Sequence, residues 1–326
     1  MTVKNDTLTA IEGITVGHFT NRENNTGCTV ILPESGAVAG VDVRGGAPGT
    51  YGTDTLQPLN LVTRVHAIVL TGGSAFGLES VTGVRRYLEE KNVGFNSGYG
   101  LVPIVAGAVI FDLGLNPSKK YPDDSSGYQA CLNASSDPVE EGCVGAGTGA
   151  TVGKLYKLDR ATKGGLGSCC IHGAKGLKVG ALAVANPFGD VIDPSTGKIL
   201  AGVRTKDGKG FSNARKLLQK MDVLFGFPDG SNTVLGVVVT NASFNKTQLT
   251  KIAQMAHDGI ARTVNPSHTM YDGDTIFALS TEKISGFEVS IVGALAAEAM
   301  ANAILRAIKK AKRCGKIPAS GDLIGD

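Results

Sequence analysis

At 326 residues with 42% hydrophobic side chains, the chain can bury a substantial core in one large domain or two ordinary ones, so disorder is not its default state. Its 45 glycines follow no period, which excludes a collagen-like repeat and points to tight turns and close backbone approach. The 32 basic and 29 acidic residues leave a formal charge of +3, with basic side chains clustered only from Lys309 to Lys316, so no nucleic-acid partner is expected.

The opening MTVKNDTLTAIEG lacks an apolar core of signal-peptide length, and no later run approaches about 20 uninterrupted apolar residues. A soluble, cytoplasmic protein without membrane contact is expected. Six cysteines (Cys28, Cys131, Cys143, Cys169, Cys170, Cys314) show no C-x-x-C spacing, and a chain this long folds without disulfides, so reduced, mostly buried thiols are expected. The histidines (His18, His66, His172, His257, His268) lie far apart and none is spaced with a cysteine as in a zinc site. Neither metal nor cofactor is expected.

In chain order, His66–Thr71 reads as a buried strand, followed by Gly72-Gly73 and a helix from about Ser74 to Glu90 with Phe76, Leu78, Val81, Val84 and Leu88 on its apolar face. Ser74 thus stands on a strand-turn-helix, the setting of a nucleophile elbow, but the next glycine, Gly77, comes one residue too late for G-x-S-x-G. A serine hydrolase using Ser74, with His257 or His268 and Asp272, is the competing enzymatic reading; a helix cap is the bland one. Gly145-Ala-Gly-Thr-Gly-Ala150 fits G-x-G-x-x-A, yet the flanking strand and helix that would aim N–H groups at a pyrophosphate are missing. It reads as a glycine-rich turn, leaving Lys154 as the residue of interest.

Gly180–Ala185 reads as a small-residue strand that stops at Asn186-Pro187, which places Asn186 at a strand end. Arg204 to Asn232 reads as an exposed, loop-like linker with a short helix near Ala214–Met221 and a turn at Pro228-Asp-Gly-Ser231. Val234–Val239 is a β-branched run suited to a strand buried on both faces. A helix follows, N-capped by Asn245 and carrying Leu249, Ile252, Ala253, Ala256 and Ile260, and it ends before Pro266. The turn Asp272-Gly273-Asp274 could hold a metal by its carboxylates, but the remaining ligands of a calcium loop are absent and a polar turn is the simpler reading. A strand over Thr275–Ser280 and an Ala-rich helix over about Val289–Lys312 complete a mixture of α and β in one domain.

The Asn232-Thr233 junction joins a flexible turn to a buried strand, which would hold a threonine hydroxyl rigidly while the preceding peptide stays exposed and deformable. A threonine hydroxyl is a poor nucleophile, but an N-terminal threonine carries its own base, an α-amine with a pKa of about 7.7 to 8.0. On local sequence alone, a threonine that simply starts a strand is the preferred reading.

Over nearly its whole length the chain resembles the DmpA-like self-processing aminopeptidases, and among them the branch with the nylon-oligomer hydrolases. The matching stretches are VGHFT and TGCTVIL near the start, HAIVLTGGSAFGL (66–78), VPIVAGAVIFDLG (102–114), GAGTGATVGK (145–154), VANPFGD (184–190), NTVLGVVVTNA (232–242), MAHDGIAR and DGDTIFALST (255–281). The resemblance implies an α+β fold, a four-layer αββα sandwich of the N-terminal-nucleophile type shared with ornithine acetyltransferases. It implies a single domain, 1–326, cut into an α subunit 1–232 and a β subunit 233–326 that begins with the nucleophile Thr233. Other branches cut at Gly-Ser, but Thr233 lies seven residues before Thr240 of the shared element Thr240-Asn241-Ala242, whereas Ser231 lies nine before it.

By the same resemblance Lys154, Asn186, Asp272 and Asp274 complete the site. Asn186 would donate to the oxyanion, Lys154 would orient the threonine hydroxyl, and the two aspartates would hold Lys154 and the amine. Phe111 stands where some relatives place a tyrosine facing the site. The implied activity is an amidase or peptidase acting on small peptides, β-aminoacyl amides or linear oligoamides through an acyl-threonine. An acyltransferase on the same fold is the alternative, and a binding protein that never matures is the non-enzymatic one. The processed subunits would remain partners in a homo-oligomer, a tetramer favoured.

Overall fold

The structure, a computed structural model, describes residues 5–222 and 232–323. The strands of its two large sheets are, in chain order, β1 (Ile14–Asn21), β2 (Thr26–Pro33), β3 (Ala37–Val43), β4 (Thr50–Tyr51), β5 (Arg64–Val65), β6 (Ala67–Thr71), β7 (Val105–Val109), β8 (Gly165–His172), β9 (Lys178–Asn186), β10 (Thr233–Ala242) and β11 (Thr275–Ile284). One sheet runs β1-β2-β6-β7-β4 and the other β8-β9-β10-β11-β3-β5. The helices are α1 (Ser80–Glu90), α2 (Asp124–Leu132), α3 (Ala214–Leu218), α4 (Lys246–Thr263) and α5 (Val289–Lys310).

Three buried clusters define the layers. Val30, Val69 and Val105 of the first sheet meet Val81 and Leu88 of α1 and Cys131 of α2. Ile31, Ile68 and Leu70 on that sheet's other face meet Leu182, Leu235, Val237, Phe277 and Leu279 of the second. The far face of the second sheet, with Ala181, Ala183, Val238 and Ala278, packs on Ile252, Ala256, Ala296, Met300 and Ile304 of α4 and α5. The strand runs are apolar at consecutive positions because both faces of these sheets are covered. The result is the four-layer αββα sandwich.

Several elements fall where the sequence places them. Asn245 accepts the Gln248 amide and Gln248 returns a bond to the Asn245 amide, a full capping box for α4. The helix expected from Ser74 begins instead as a 3₁₀ turn, Ser74–Glu79, and becomes α-helical only at Ser80. Phe76 therefore leaves the predicted apolar face; it is exposed and stacks on Tyr121. Ser74 makes no side-chain cap.

The expected exposed linker is anchored at its start. Buried Asp190 accepts the amides of Val203 and Ala214, and the Arg204 guanidinium donates to the carbonyls of Ala161 and Asp159. The turn at Pro228-Asp229-Gly230-Ser231 lies outside the described residues. Helix α5 has the length and apolarity to cross a membrane, but 61% of its apolar window is buried inside the protein, against α4, β8 and β9. All six cysteines are free thiols; Cys28, Cys131 and Cys170 are buried, the others partly so.

Candidate active site

Antiparallel pairing of β9 with β10 sets Asn186 opposite Thr233, and parallel pairing of β10 with β11 begins at Leu235 opposite Thr275. The ends of three strands therefore meet at one point, and the Asp272-Gly273-Asp274 turn leading into β11 closes it. Asn232 forms an isolated parallel bridge with Asp272. Its amide donates to the Tyr271 carbonyl (2.9 Å), and its carbonyl accepts the Gly273 amide (2.8 Å) and the Thr233 hydroxyl. The junction is thus fully buried rather than exposed: Asn232 shows 0% and Thr233 3% of its surface. Extra ladder bonds beyond the strand's nominal start, invisible in a one-dimensional pattern, pull it in. A Cβ at Gly273 would stand 2.9 Å from Thr233 Oγ1 and 2.8 Å from the Ala47 carbonyl, so only glycine lets this turn press on the junction.

Lys154, Asn186, Asp272 and Asp274 are all buried around this point. Lys154 Nζ donates to Thr151 O (2.7 Å), Asn186 O (2.9 Å) and Asn186 Oδ1 (2.8 Å), and Asn186 Oδ1 also accepts the Thr151 amide (2.9 Å). The Asn186 carboxamide oxygen is therefore committed to donors. Its Nδ2 has a single long contact, to Phe111 O at 3.4 Å, and remains the donor face. Phe111 accordingly meets the site through its backbone. Lys154 reaches Asn186; its hydrogen bonds do not include the Thr233 hydroxyl that the sequence comparison assigned it to orient.

The two aspartates have different partners. Asp272 accepts the Phe188 amide on Oδ1 (3.1 Å) and both the amide (3.1 Å) and hydroxyl (2.5 Å) of Thr269 on Oδ2. Asp274 accepts the Val234 amide on Oδ1 (2.6 Å), and on Oδ2 the amide (3.1 Å) and ring Nδ1 (2.7 Å) of His268. Burial, and then the charge of Asp274, push Asp272 up to about 6, against the opposing pull of its Thr269 and Phe188 bonds. Burial drives the Lys154 ammonium well below its ordinary value, with Asp272 resisting, Lys163 reinforcing and Asp112 resisting. A lysine whose burial disfavours its charged form, beside a carboxyl near 6 that can take up a proton, has the character of acid–base machinery.

Sequence reasoning missed Gly273 as a donor to the Asn232 carbonyl and Thr269 as a partner of Asp272. It considered His268 only as a partner for Ser74. That pairing is not formed: His268 bonds Asp274 and His257 bonds Asp42 O (3.1 Å), while the remaining ring nitrogens, His268 Nε2 and His257 Nδ1, have no hydrogen-bond partner. Among the described residues no group of three or more His, Cys, Asp or Glu is placed to hold a metal ion.

The α+β sandwich is of the N-terminal-nucleophile type and gathers a buried threonine, lysine, carboxamide and carboxylate pair at its strand ends; the protein is of the class of enzymes that hydrolyse peptide or amide bonds. The chain belongs to Peptidase family S58, whose family model matches residues 6–317. An uncharacterized aminopeptidase of Mycobacterium bovis is 39% identical over 98% of both chains. A 6-aminohexanoate-oligomer endohydrolase of a Kocuria species is 30% identical over 91% of this chain and 84% of its own. Among solved structures, the L-aminopeptidase D-Ala-esterase/amidase of Ochrobactrum anthropi, a variant of the Ntn hydrolase fold, covers 98% of this chain and 90% of its own with TM-score 0.71 at 21% identity, a likeness of fold.

Proposed function

We propose that the chain cuts itself between Asn232 and Thr233 and then uses Thr233 as an N-terminal nucleophile against amide bonds. The observation that carries this reading is the buried Asn232 carbonyl, held by the Gly273 amide with the Thr233 hydroxyl against it. In maturation Thr233 Oγ1 attacks the Asn232 carbonyl carbon, the hydroxyl proton passes to the Thr233 nitrogen and the C–N bond breaks, leaving the Asn232 acyl group as an ester on Oγ1 and freeing the Thr233 amine. Water then hydrolyses the ester, releasing the Asn232 carboxylate and restoring the hydroxyl. The Gly273 amide is placed to stabilise the oxyanion of this step.

In turnover the freed amine accepts the hydroxyl proton as Oγ1 attacks a substrate carbonyl, that proton passes to the leaving amine, and water then hydrolyses the acyl-threonine to release the acid and restore the hydroxyl. Asn186 Nδ2 is the donor available to the substrate oxyanion, an interaction worth about 3 to 4 kcal/mol. Lys154 acts through Asn186, fixing which way the carboxamide faces. Asp272, near 6, is suited to shuttle the proton, and Asp274 holds the start of β10.

The named relatives support small amides as substrates: N-terminal residues of peptides and linear oligoamides of the 6-aminohexanoate kind. Intact-mass analysis and a denaturing gel test the cut. Wild type should give two fragments, one beginning at Thr233, whereas Thr233→Ala should remain one chain and hydrolyse nothing. Fresh, active wild-type protein that is uncut would overturn the proposal.

A further inference from the structure

Once Asn232 has been cut away from Thr233, its bonds to Tyr271 and Gly273 no longer tether the nucleophile. On the β9 side Thr233 still pairs with Asn186. On the β11 side the ladder begins only at Leu235. The backbone group nearest the nucleophile on that side is the Val234 amide, and Asp274 Oδ1 holds it at 2.6 Å. How firmly Thr233 is placed after maturation therefore depends on how firmly the Asp274 carboxylate is placed.

We propose that His268 is a positioning residue for the nucleophile, clamping Asp274 with its ring and its backbone amide so that Asp274 fixes Val234 and, through it, Thr233. This rests on reading Thr233 as the nucleophile. His268 lies in the left-handed region (φ 54°), which lets one residue aim both N–H groups at the same oxygen, Asp274 Oδ2. Its ring is held edge-on by His257, with centroids 4.9 Å apart at 72°, and His257 is tied to Asp42 on β3. His268 Nε2 is buried without a partner, so nothing on the ring competes with the Nδ1 contact. A loop conformation that is costly for histidine, stabilised by packing on the buried His257 ring and spent on one carboxylate oxygen, is the kind of strain that marks a working position.

The charged and titratable groups around Asp274 are Asp272 in the same turn, His257 on α4, Asp42 on β3, Arg44 just after it, and Lys154 beyond Asp272. None of these reaches the Asp274 carboxylate with a side-chain hydrogen bond; among the described residues the His268 ring does so. Removing its ring leaves Asp274 Oδ2 with the His268 backbone amide alone.

Two variants separate the ring from the backbone. His268→Gly accepts the left-handed conformation and keeps the amide but loses the ring; His268→Asn tolerates the same conformation and keeps a short side-chain donor. Both should still be cut, because the Asn232 bonds hold the junction before cleavage. On L- and β-aminoacyl p-nitroanilides, His268→Gly should lower kcat about tenfold or more with KM nearly unchanged. His268→Asn should recover most of that loss. Hydrogen exchange at Val234 in the matured protein should quicken in His268→Gly, a readout that needs no substrate. A His268→Gly enzyme matching wild type in kcat and Val234 exchange overturns the inference. An uncut, active wild type overturns the nucleophile reading instead, while the exchange measurement still reports whether His268 secures Asp274 on Val234.

Discussion

Asp272 is held between opposing effects that differ by single hydrogen bonds. Burial and the neighbouring Asp274 raise it, while the Thr269 hydroxyl, the Phe188 amide and the Thr269 amide pull it down, leaving it at about 6. A reaction that needs this carboxyl ionised loses rate as pH falls through that value. Thr269→Val removes the 2.5 Å hydroxyl bond and leaves both backbone donors in place. Because that bond favours the charged form, its loss raises Asp272 further, and the acid limb of the kcat–pH profile should move up by about half to one unit. A limb that stays in place or moves down would show that Asp272 does not carry it. Asp272→Asn is a harsher change: each carboxylate oxygen faces a backbone N–H, so a carboxamide must turn its NH₂ toward a donor, and a loss of at least about 1 to 3 kcal/mol follows from the unsatisfied groups.

Elements carry these side chains only as well as they pack, and α4 and α5 form the layer behind β10 and β11. Gly259 of α4 approaches α5 so closely that a Cβ there would stand 2.3 Å from the Ala297 carbonyl and 3.0 Å from the Ala301 amide. Alanine in place of an interior helix glycine gains about 1 kcal/mol of propensity, but overpacking against rigid backbone costs about 1 to 3 kcal/mol. The clash should win, and Gly259→Ala should lower the melting temperature in a thermal scan; a rise would show that the helices separate freely.

How this layer could be read in advance follows from its regularity. Leu249, Ile252, Ala253, Ala256 and Ile260 repeat at helical spacing and are all buried, and β10 shows as a β-branched run because both its faces are covered. Asn186 was legible as a strand end because proline stops the ladder. The junction's burial was not, since it depends on the Tyr271–Gly273 segment folding back from some 40 positions away. Phe76 was misplaced because a 3₁₀ turn has a different period from the α-helix it precedes. His268 could not be read as a partner of Asp274 because its left-handed backbone, not its spacing, brings both donors to one oxygen.

For the whole molecule, the proposed cut falls in an unusual place. The segment after it supplies β10 and β11, the two middle strands of the six-stranded sheet, and both helices of one outer layer. The segment before it flanks them on both sides, β8 and β9 next to β10, and β3 and β5 next to β11. Pairing of β10 with β9 runs from Asn186 opposite Thr233 to Val179 opposite Thr240, and β3 pairs with β11 from Val43 opposite Thr275 to Val38 opposite Ser280. Breaking one peptide bond removes none of these contacts, so the two fragments should elute together from a sizing column in native buffer and separate only in denaturant. The same placement forbids independent folding of the later segment. Alone, it would present two open strand edges and an uncovered face bearing Leu235, Val237, Val239, Phe277 and Leu279, an arrangement that pairs with other chains. Residues 233–326 expressed by themselves should therefore aggregate, and co-expression with residues 1–232 should restore solubility. A soluble, monomeric later segment would mean that the sheet's middle does not depend on its flanks, and that the fragments are separate domains.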